Sequence, residues 1–359
     1  MKILHVVGAR PNFMKAAPVM AACAKRSHCT QMLVHTGQHY DANMSAIFFQ
    51  ELGLPEPDIN LEVGSGSHAI QTAQIMMAFE KVVLEHTPDI VLVYGDINST
   101  VAVAIVCAKL GIKVGHVEAG LRSFDRCMPE EINRLLTDQI ANMLFTPSAD
   151  GNQHLQAEGV AAEKIHLVGN VMIDTLVRLL PQAEARWSQL HRRFGLANGY
   201  GLITLHRPSN VDDPDMLPQI LATLDRISQK LTLLFPLHPR TRQRIASQGL
   251  EHLTQNICLV EPLGYLDFLI LQKRATIVIT DSGGIQEETT YLQVPCLTVR
   301  ENTERPITVT IGTNKLIGQD MALLEQETYA ILNSPAPQGQ IPPLWDGQAG
   351  ERIAAILLD

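Results

Sequence analysis

The chain is predicted to be an α/β protein built from two doubly wound parallel sheets, each with helices on both faces. Three observations predict this. Short apolar runs alternate with amphipathic stretches along the whole length, the runs are continuous rather than alternating, and the scheme restarts after a turn-rich break near residue 198. Continuous apolar strands separated by helices form parallel sheets covered on both sides. At 359 residues the chain exceeds one ordinary domain and suits two of roughly 150–200 residues each.

The elements follow in order. Ile3–Val7 is apolar for too few residues to be a signal peptide and ends at Gly8, so it is a first strand. Gln31–Thr36, Ile90–Tyr94, Lys113–Val117, Leu144–Pro147 and Ile165–Val168 complete the first set, with helices such as Lys15–Lys25 and Thr100–Leu110 between them. A helical stretch from about Val171 to Phe194 leads to Gly195 and the turn residues Ala197-Asn198-Gly199-Tyr200-Gly201. Leu202–Leu205, Leu231–Leu237, Ile257–Val260, Thr276–Thr280 and Cys296–Val299 form the second set. A Pro-rich stretch from Pro335 to Pro343 precedes a final helix at about Gln348–Leu358. The domains are therefore expected at 1–170 and 171–345, with the last helix, about 346–359, returning to the first. Two such sheets facing each other leave one cleft, lined by loops at the carboxyl ends of both strand sets, and the ligand is expected there.

Composition narrows the function. Hydrophobic residues make up 46% and charged residues 18%, which is globular, and the net charge of −9 argues against nucleic acid or an acidic membrane as partner. An anionic small molecule is compatible, because local Arg and Lys govern its binding. No run is long enough to span a bilayer. The six cysteines are scattered without a C-x-x-C and read as reduced thiols in a cytoplasmic protein. No metal motif is present: His116-Val117-Glu118 lacks the P-C-x-x-C that a zinc deaminase needs. No cofactor is expected, since Asp281-Ser282-Gly283-Gly284 is not a dinucleotide G-x-G-x-x-G.

The informative residues cluster at strand ends. Gly8-Ala9-Arg10-Pro11-Asn12-Phe13-Met14-Lys15 opens a helix after the first strand, where backbone N–H groups with Arg10 and Lys15 suit a phosphate; a plain turn with solvated cations is the alternative. Asp281 to Glu288 follows an apolar strand in the same way. There Ser282 either caps the helix or binds phosphate, Gly283 and Gly284 admit a close ligand, and Glu288 suits a ribose diol. Asp96 and Glu118 end strands and Glu130 stands at the start of the next helix, and carboxylates converging on one rim suit removal of a C–H proton. Each one singly has a structural reading, as helix cap or first-turn acid. His206-Arg207, His238-Pro239-Arg240 and Arg305 supply donors from the second half.

Taken together, Gly8-Ala9-Arg10-Pro11, His116 to Arg122, Pro129-Glu130-Glu131-Ile132-Asn133-Arg134, Thr280 to Glu288 and Thr303-Glu304-Arg305-Pro306 resemble the non-hydrolysing UDP-N-acetylglucosamine 2-epimerases, in order and over nearly the whole chain. The resemblance implies the glycosyltransferase-B architecture, two Rossmann-like domains with the active site between them, and a homodimer. It implies inversion at C2 of the sugar by elimination of UDP to a glycal with a C1=C2 enol-ether bond, then reprotonation and re-addition. The family's catalytic residues fall on Asp96, Glu118, Glu130 and His206, and its nucleotide contacts on Arg10, Lys15, Ser282, Gly283, Glu288 and Arg305. Arg207, His238, Arg240 and Gly284 lie beside them. One departure stands out. Tyr40-Asp41 replaces the Arg and then Gln or Glu that many bacterial members carry in a motif for allosteric activation by substrate, so that regulation is not implied here. The alternatives are a 2-epimerase of a UDP-2,3-diacetamido sugar acid, or a glycosyltransferase of the same fold.

Overall fold

The computed structural model describes residues 1–38, 52–196, 199–333 and 339–359. His39, Tyr40 and Asp41 lie outside the described residues, as do part of the Pro-rich stretch and Ala197-Asn198. The chain divides into two compact units, Met1–Thr175 with Pro343–Asp359, and Leu176–Pro342.

The first unit holds a parallel sheet of β1 (Lys2–Val7), β2 (Thr30–His35), β3 (Ile59–Asn60), β4 (Ile90–Tyr94), β5 (Lys113–Val117), β6 (Met143–Thr146) and β7 (Ile165–Leu167). Their order is β3-β2-β1-β4-β5-β6-β7. The chain winds outward from β1 through β2, then returns to place β4 on the other side of β1, with Leu4 beside Val91 and Val6 beside Val93. Loops leaving β1 and β4 diverge at such a reversal and leave room for a ligand at the carboxyl edge. Ile3, Leu4, Leu33, Val91, Leu92 and Leu144 are wholly buried, which accounts for the unbroken apolar runs.

The second unit repeats the plan with β8 (Tyr200–Thr204), β9 (Thr232–Pro236), β10 (Cys258–Val260), β11 (Ile277–Thr280), β12 (Cys296–Thr298) and β13 (Asn314–Leu316). Their order is β10-β9-β8-β11-β12-β13, all parallel, with the reversal between β8 and β11. Thr204 lies opposite Thr280, so His206 and Asp281 emerge side by side. The sequence reading missed β3 and β13. Both are edge strands of two or three residues that carry Asn or Lys, too short and too polar to show as apolar runs.

The last helix, Ala349–Leu358, packs on the helix Arg10–Ala24. A Cβ on Gly350 would stand 2.7 Å from the Pro18 carbonyl oxygen, so the approach needs glycine. The Asp174 carboxylate accepts the Ala349 and Gly350 N–H groups at 3.1 and 2.7 Å. Burial lifts its pKa to about 6, although those two bonds pull it down. Among the described residues, no helix is long and apolar enough to cross a membrane.

Candidate active site

In the first unit, Gly8, Asp96 and Glu118 follow β1, β4 and β5 at one carboxyl edge. A Cβ on Gly8 would meet the Ser99 Oγ and the Thr36 Oγ1 at 2.4 and 2.6 Å, so this turn has no room for a side chain. The Gly8 and Ala9 N–H groups, expected to face a phosphate, both donate to the Asn12 Oδ1 at 3.1 Å. Asn12 Nδ2 donates to the Tyr94 carbonyl at 2.7 Å, joining the β1 and β4 loops. Arg10 is exposed at the helix start.

Lys15 is not a surface cation. Its ammonium is buried against the Glu118 carboxylate, and both lie over the α-carbon of Gly95. Glu118 itself is strained. Its φ is +75°, in the left-handed region that side chains avoid, and its N–H shares the Phe145 carbonyl with that of Ala119 at 3.1 Å each. Such strain persists only where surrounding structure enforces it, and it aims the carboxylate at Lys15.

Asp96 does not cap the following helix, Asn98–Leu110, whose N-cap is Ile97. Its carboxylate instead receives the Arg134 Nη1 at 3.0 Å, and its side chain keeps 26% of its surface exposed. Buried Glu131 accepts the Arg134 Nε at 3.1 Å and the N–H groups of Ser123 and Phe124 at 3.0 and 2.9 Å. Glu131 is therefore a scaffold for the loop, whereas its neighbour Glu130 faces a cavity of 260 Å³ with Gln38, His68, Asn98 and Asn133.

In the second unit, buried Asp281 organises the β8 loop. It accepts the His206 and Arg207 N–H groups at 3.0 and 2.8 Å and the Asn210 amide at 3.0 Å, and it holds the His206 Nδ1 at 3.1 Å. Burial pushes the Asp281 carboxyl up, but the His206 ring and these donors outweigh it and hold it below its ordinary range. The imidazole, 48% exposed, thus presents its other nitrogen outward. His238 caps the helix Pro239–Ser247, its Nδ1 accepting from the Arg240 N–H at 3.2 Å. Burial, then the charges of His206 and Arg240, lower its pKa. The Arg240 and Arg244 guanidiniums are both paired with Asp212.

The helix Gly283–Leu292 starts at Ser282, whose hydroxyl makes no cap bond. Gly283 and Gly284 differ. A Cβ on Gly283 would lie 2.4 Å from the Arg305 Nη1, whereas Gly284 faces open space. Gly283 therefore admits the Arg305 guanidinium over the helix start, and Gly284 leaves the approach clear. Arg305 is buried between Glu304 at 2.6 Å and Glu287 at 3.0 Å. Glu288 is buried too; the Tyr265 hydroxyl donates to it at 3.0 Å. Burial lifts its pKa to about 7, the Tyr265 bond opposing and the Glu287 charge adding.

The profile of the UDP-N-acetylglucosamine 2-epimerase family matches residues 21–358. The chain belongs to this family. It is 43% identical to the UDP-N-acetylglucosamine 2-epimerase of Methanococcus maripaludis, over 99% of this chain and 98% of that one. It is 42% identical to the UDP-2,3-diacetamido-2,3-dideoxy-D-glucuronate 2-epimerase of Pseudomonas aeruginosa, over 99% of each. The crystal structure of the Methanocaldococcus jannaschii UDP-GlcNAc 2-epimerase in complex with UDP-GlcNAc and UDP superposes with a TM-score of 0.91 at 42% identity, over 99% of each chain.

Within this epimerase-family chain the sequence reading missed the residues that hold the expected ones. Asn12 takes the N–H groups of the first turn, Arg134 grips Asp96, and Asp281 grips His206. All three stand inside the quoted motifs. Charge and spacing identify them as polar, but which partner each one takes depends on contacts between residues as many as 82 positions apart.

Proposed function

We propose that this protein is a non-hydrolysing 2-epimerase that interconverts UDP-N-acetylglucosamine and UDP-N-acetylmannosamine. The observation that carries the reading is Glu118: a buried carboxylate in a strained backbone, ion-paired to Lys15 at the sheet edge where Asp96 also emerges. A C–H acid as weak as C2 of the sugar calls for fixed carboxylates, and its proton leaves together with the anionic diphosphate. Asp96, Glu118 and Glu130 carry protons to and from C2. His206 and Arg10 stabilise the departing diphosphate together with Arg305 at the helix start of Ser282, Gly283 and Gly284, Arg207, His238 and Arg240 flank it, and Glu288 takes the ribose. The C1–O bond breaks as the C2 proton leaves, giving UDP and a C1=C2 glycal. Protonation on the opposite face and return of UDP to C1 complete the inversion without net redox change. Lys15 acts on Glu118 in this scheme rather than on the nucleotide.

UDP-GlcNAc incubated with the protein in D₂O should gain deuterium at C2 with no acceptor present, and UDP-ManNAc should appear as an intact nucleotide sugar by NMR. No exchange with any UDP-HexNAc would refute the assignment. The 42% identity to a diacetamido uronate 2-epimerase supports a second substrate reading; faster exchange with that sugar acid than with UDP-GlcNAc would establish it.

We also infer a homodimer in the cytoplasm, supplying activated sugar for surface polysaccharide. Ile70, Met77 and Leu84 recur every seventh residue along the helix His68–His86 and are exposed, as are Ile132 and Leu136 on the helix Pro129–Ile140. Apolar stripes of this kind support docking of a second copy. Ile70→Glu with Met77→Glu should halve the mass measured by light scattering; an unchanged dimer mass would rule out this face. The six cysteines are all free thiols, as suits a reducing compartment.

A further inference from the structure

His116 lies two residues before Glu118, wholly buried in β5, and its ring nitrogens face Asp138 and the Gly95 carbonyl rather than the groups assigned to the reaction. Its ring spans two loops. Nδ1 stands 2.6 Å from the Asp138 Oδ1, and Nε2 stands 2.8 Å from the Gly95 carbonyl oxygen. The Gly95 carbonyl can only accept, so Nε2 is the donor in that bond.

The Gly95 peptide that receives Nε2 occupies a central place. Its α-carbon, at φ +65°, lies under the Lys15 ammonium and the Glu118 carboxylate, and its carbonyl leads directly into Asp96. The second oxygen of Asp138 accepts the Gly120 N–H at 3.1 Å and the Arg122 Nη1 at 2.7 Å. Arg122 is fixed in turn by both oxygens of Glu158, at 2.8 and 2.7 Å. Asp138 therefore grips residues 116 and 120, one on each side of Glu118, while His116 grips the residue before Asp96. Burial pushes the Asp138 carboxyl up, but His116 and Arg122 more than offset this and keep it ionised.

We propose that His116, seated on Asp138, is the positioning residue for the proton-transferring carboxylates, fixing through the Gly95 carbonyl the spacing between Asp96 and the strained Glu118. The proposal rests on the reading of Asp96 and Glu118 as proton carriers. Without the Nε2 donor, the Gly95 carbonyl is left buried and unpaired, and the turn between Val117 and Asp96 loses one of its anchors. A displacement of about 1 Å in a catalytic group costs about 10²-fold in rate.

Glutamine and asparagine separate the two ends of the ring. The amide nitrogen of a glutamine reaches the place of Nε2 and keeps the Gly95 bond, whereas that of an asparagine reaches only the place of Nδ1. The test is C2 deuterium exchange kinetics, with thermal unfolding as the folding control, on full-length His116→Asn, His116→Gln and Glu118→Gln. His116→Asn should lower kcat about 10²-fold with KM for UDP-GlcNAc within about threefold, and His116→Gln should stay within about tenfold of the parent kcat. Equal losses in the two variants, or a kcat of His116→Asn within about twofold of the parent, overturn the proposal. Where His116→Asn yields no folded protein, His116→Gln decides alone: within about tenfold upholds the proposal and below that overturns it. Glu118→Gln tells the two failures apart. If it turns over at the parent rate, the proton-carrier reading fails and takes the proposal with it. If it is inactive while His116→Asn is unaffected, only the positioning role fails.

Discussion

Gly95→Ala probes the floor beneath the Lys15–Glu118 pair with a single methyl group. Two costs follow from the structure. The backbone at Gly95 has φ +65°, and an L side chain there costs about 1–2 kcal/mol. The new Cβ would also lie 2.8 Å from the Lys15 Nζ, 3.3 Å from the Glu118 Oε2 and 3.5 Å from the Asn12 Nδ2. Ordinary contact begins near 3.4 Å, so the ammonium must withdraw by about 0.6 Å or more, and Glu118 moves with it or loses its partner. A misplacement of about 1 Å at a reacting carboxylate lowers the rate by about 10²-fold, which sets the upper end of the expected loss. A unit of this length then loses about 2–4 °C in Tm for each kcal/mol. The expected outcome is a Tm lowered by several degrees, a kcat for C2 exchange down by up to about 10²-fold, and a KM that barely moves, because the UDP contacts, Arg10 apart, are assigned to the other unit. Exchange would be followed by NMR in D₂O and unfolding by circular dichroism. A Gly95→Ala protein that exchanges within about twofold of the parent rate would refute the reasoning, since the methyl group cannot be seated without displacing Lys15.

Two further outcomes test the second unit. Asp281→Asn removes the carboxylate that holds the His206 Nδ1 and the His206 and Arg207 N–H groups; kcat should fall about 10²-fold or more, and unchanged turnover would show that His206 needs no such orientation. The Glu288 pKa, raised to about 7, makes stability depend on pH. A raised folded pKa favours the native state fully below the unfolded value near 4.5, and that contribution is lost as pH climbs through 7. The urea midpoint should therefore drop between pH 5 and pH 8, by the equivalent of about 3 kcal/mol at most, and Glu288→Gln should flatten the profile. Parallel pH profiles for parent and variant would contradict this account.

Much of the fold was legible because parallel strands buried on both faces leave long apolar runs: Ile90–Tyr94 and Ile277–Thr280 appear in the sequence nearly as they appear in the sheet. The edge strands β3 and β13 were not, since an edge strand is held by one neighbour and needs no apolar run. The helix after β1 starts at Arg10 rather than Lys15, because Pro11 stands in its first turn, where its missing N–H costs nothing. At the candidate site, positions were legible and partners were not. A lysine one turn into a helix reads as a solvated or phosphate-binding cation, and only the packing of the β4 and β5 loops buries Lys15 on Glu118. Ser282 reads as a helix cap, yet its hydroxyl makes no cap bond. The paired glycines read alike, yet one admits a guanidinium and the other faces open space.

The sequence by itself determined the architecture, the strand ends at which chemistry-bearing residues emerge, and an ordered set of motifs sufficient to recognise the family. These properties are local: hydrophobic periodicity, turn chemistry and residue type at fixed spacing. The tertiary structure decided which charges are neutralised and which are presented. It set Glu118 in a left-handed backbone against Lys15, placed His116 and Asp138 behind the two carboxylate loops, and gave His206 its partner in Asp281. Those pairings join residues 22 to 103 positions apart. Electrostatic energy depends on distance and burial in three dimensions, and neither quantity is written in the order of residues along the chain.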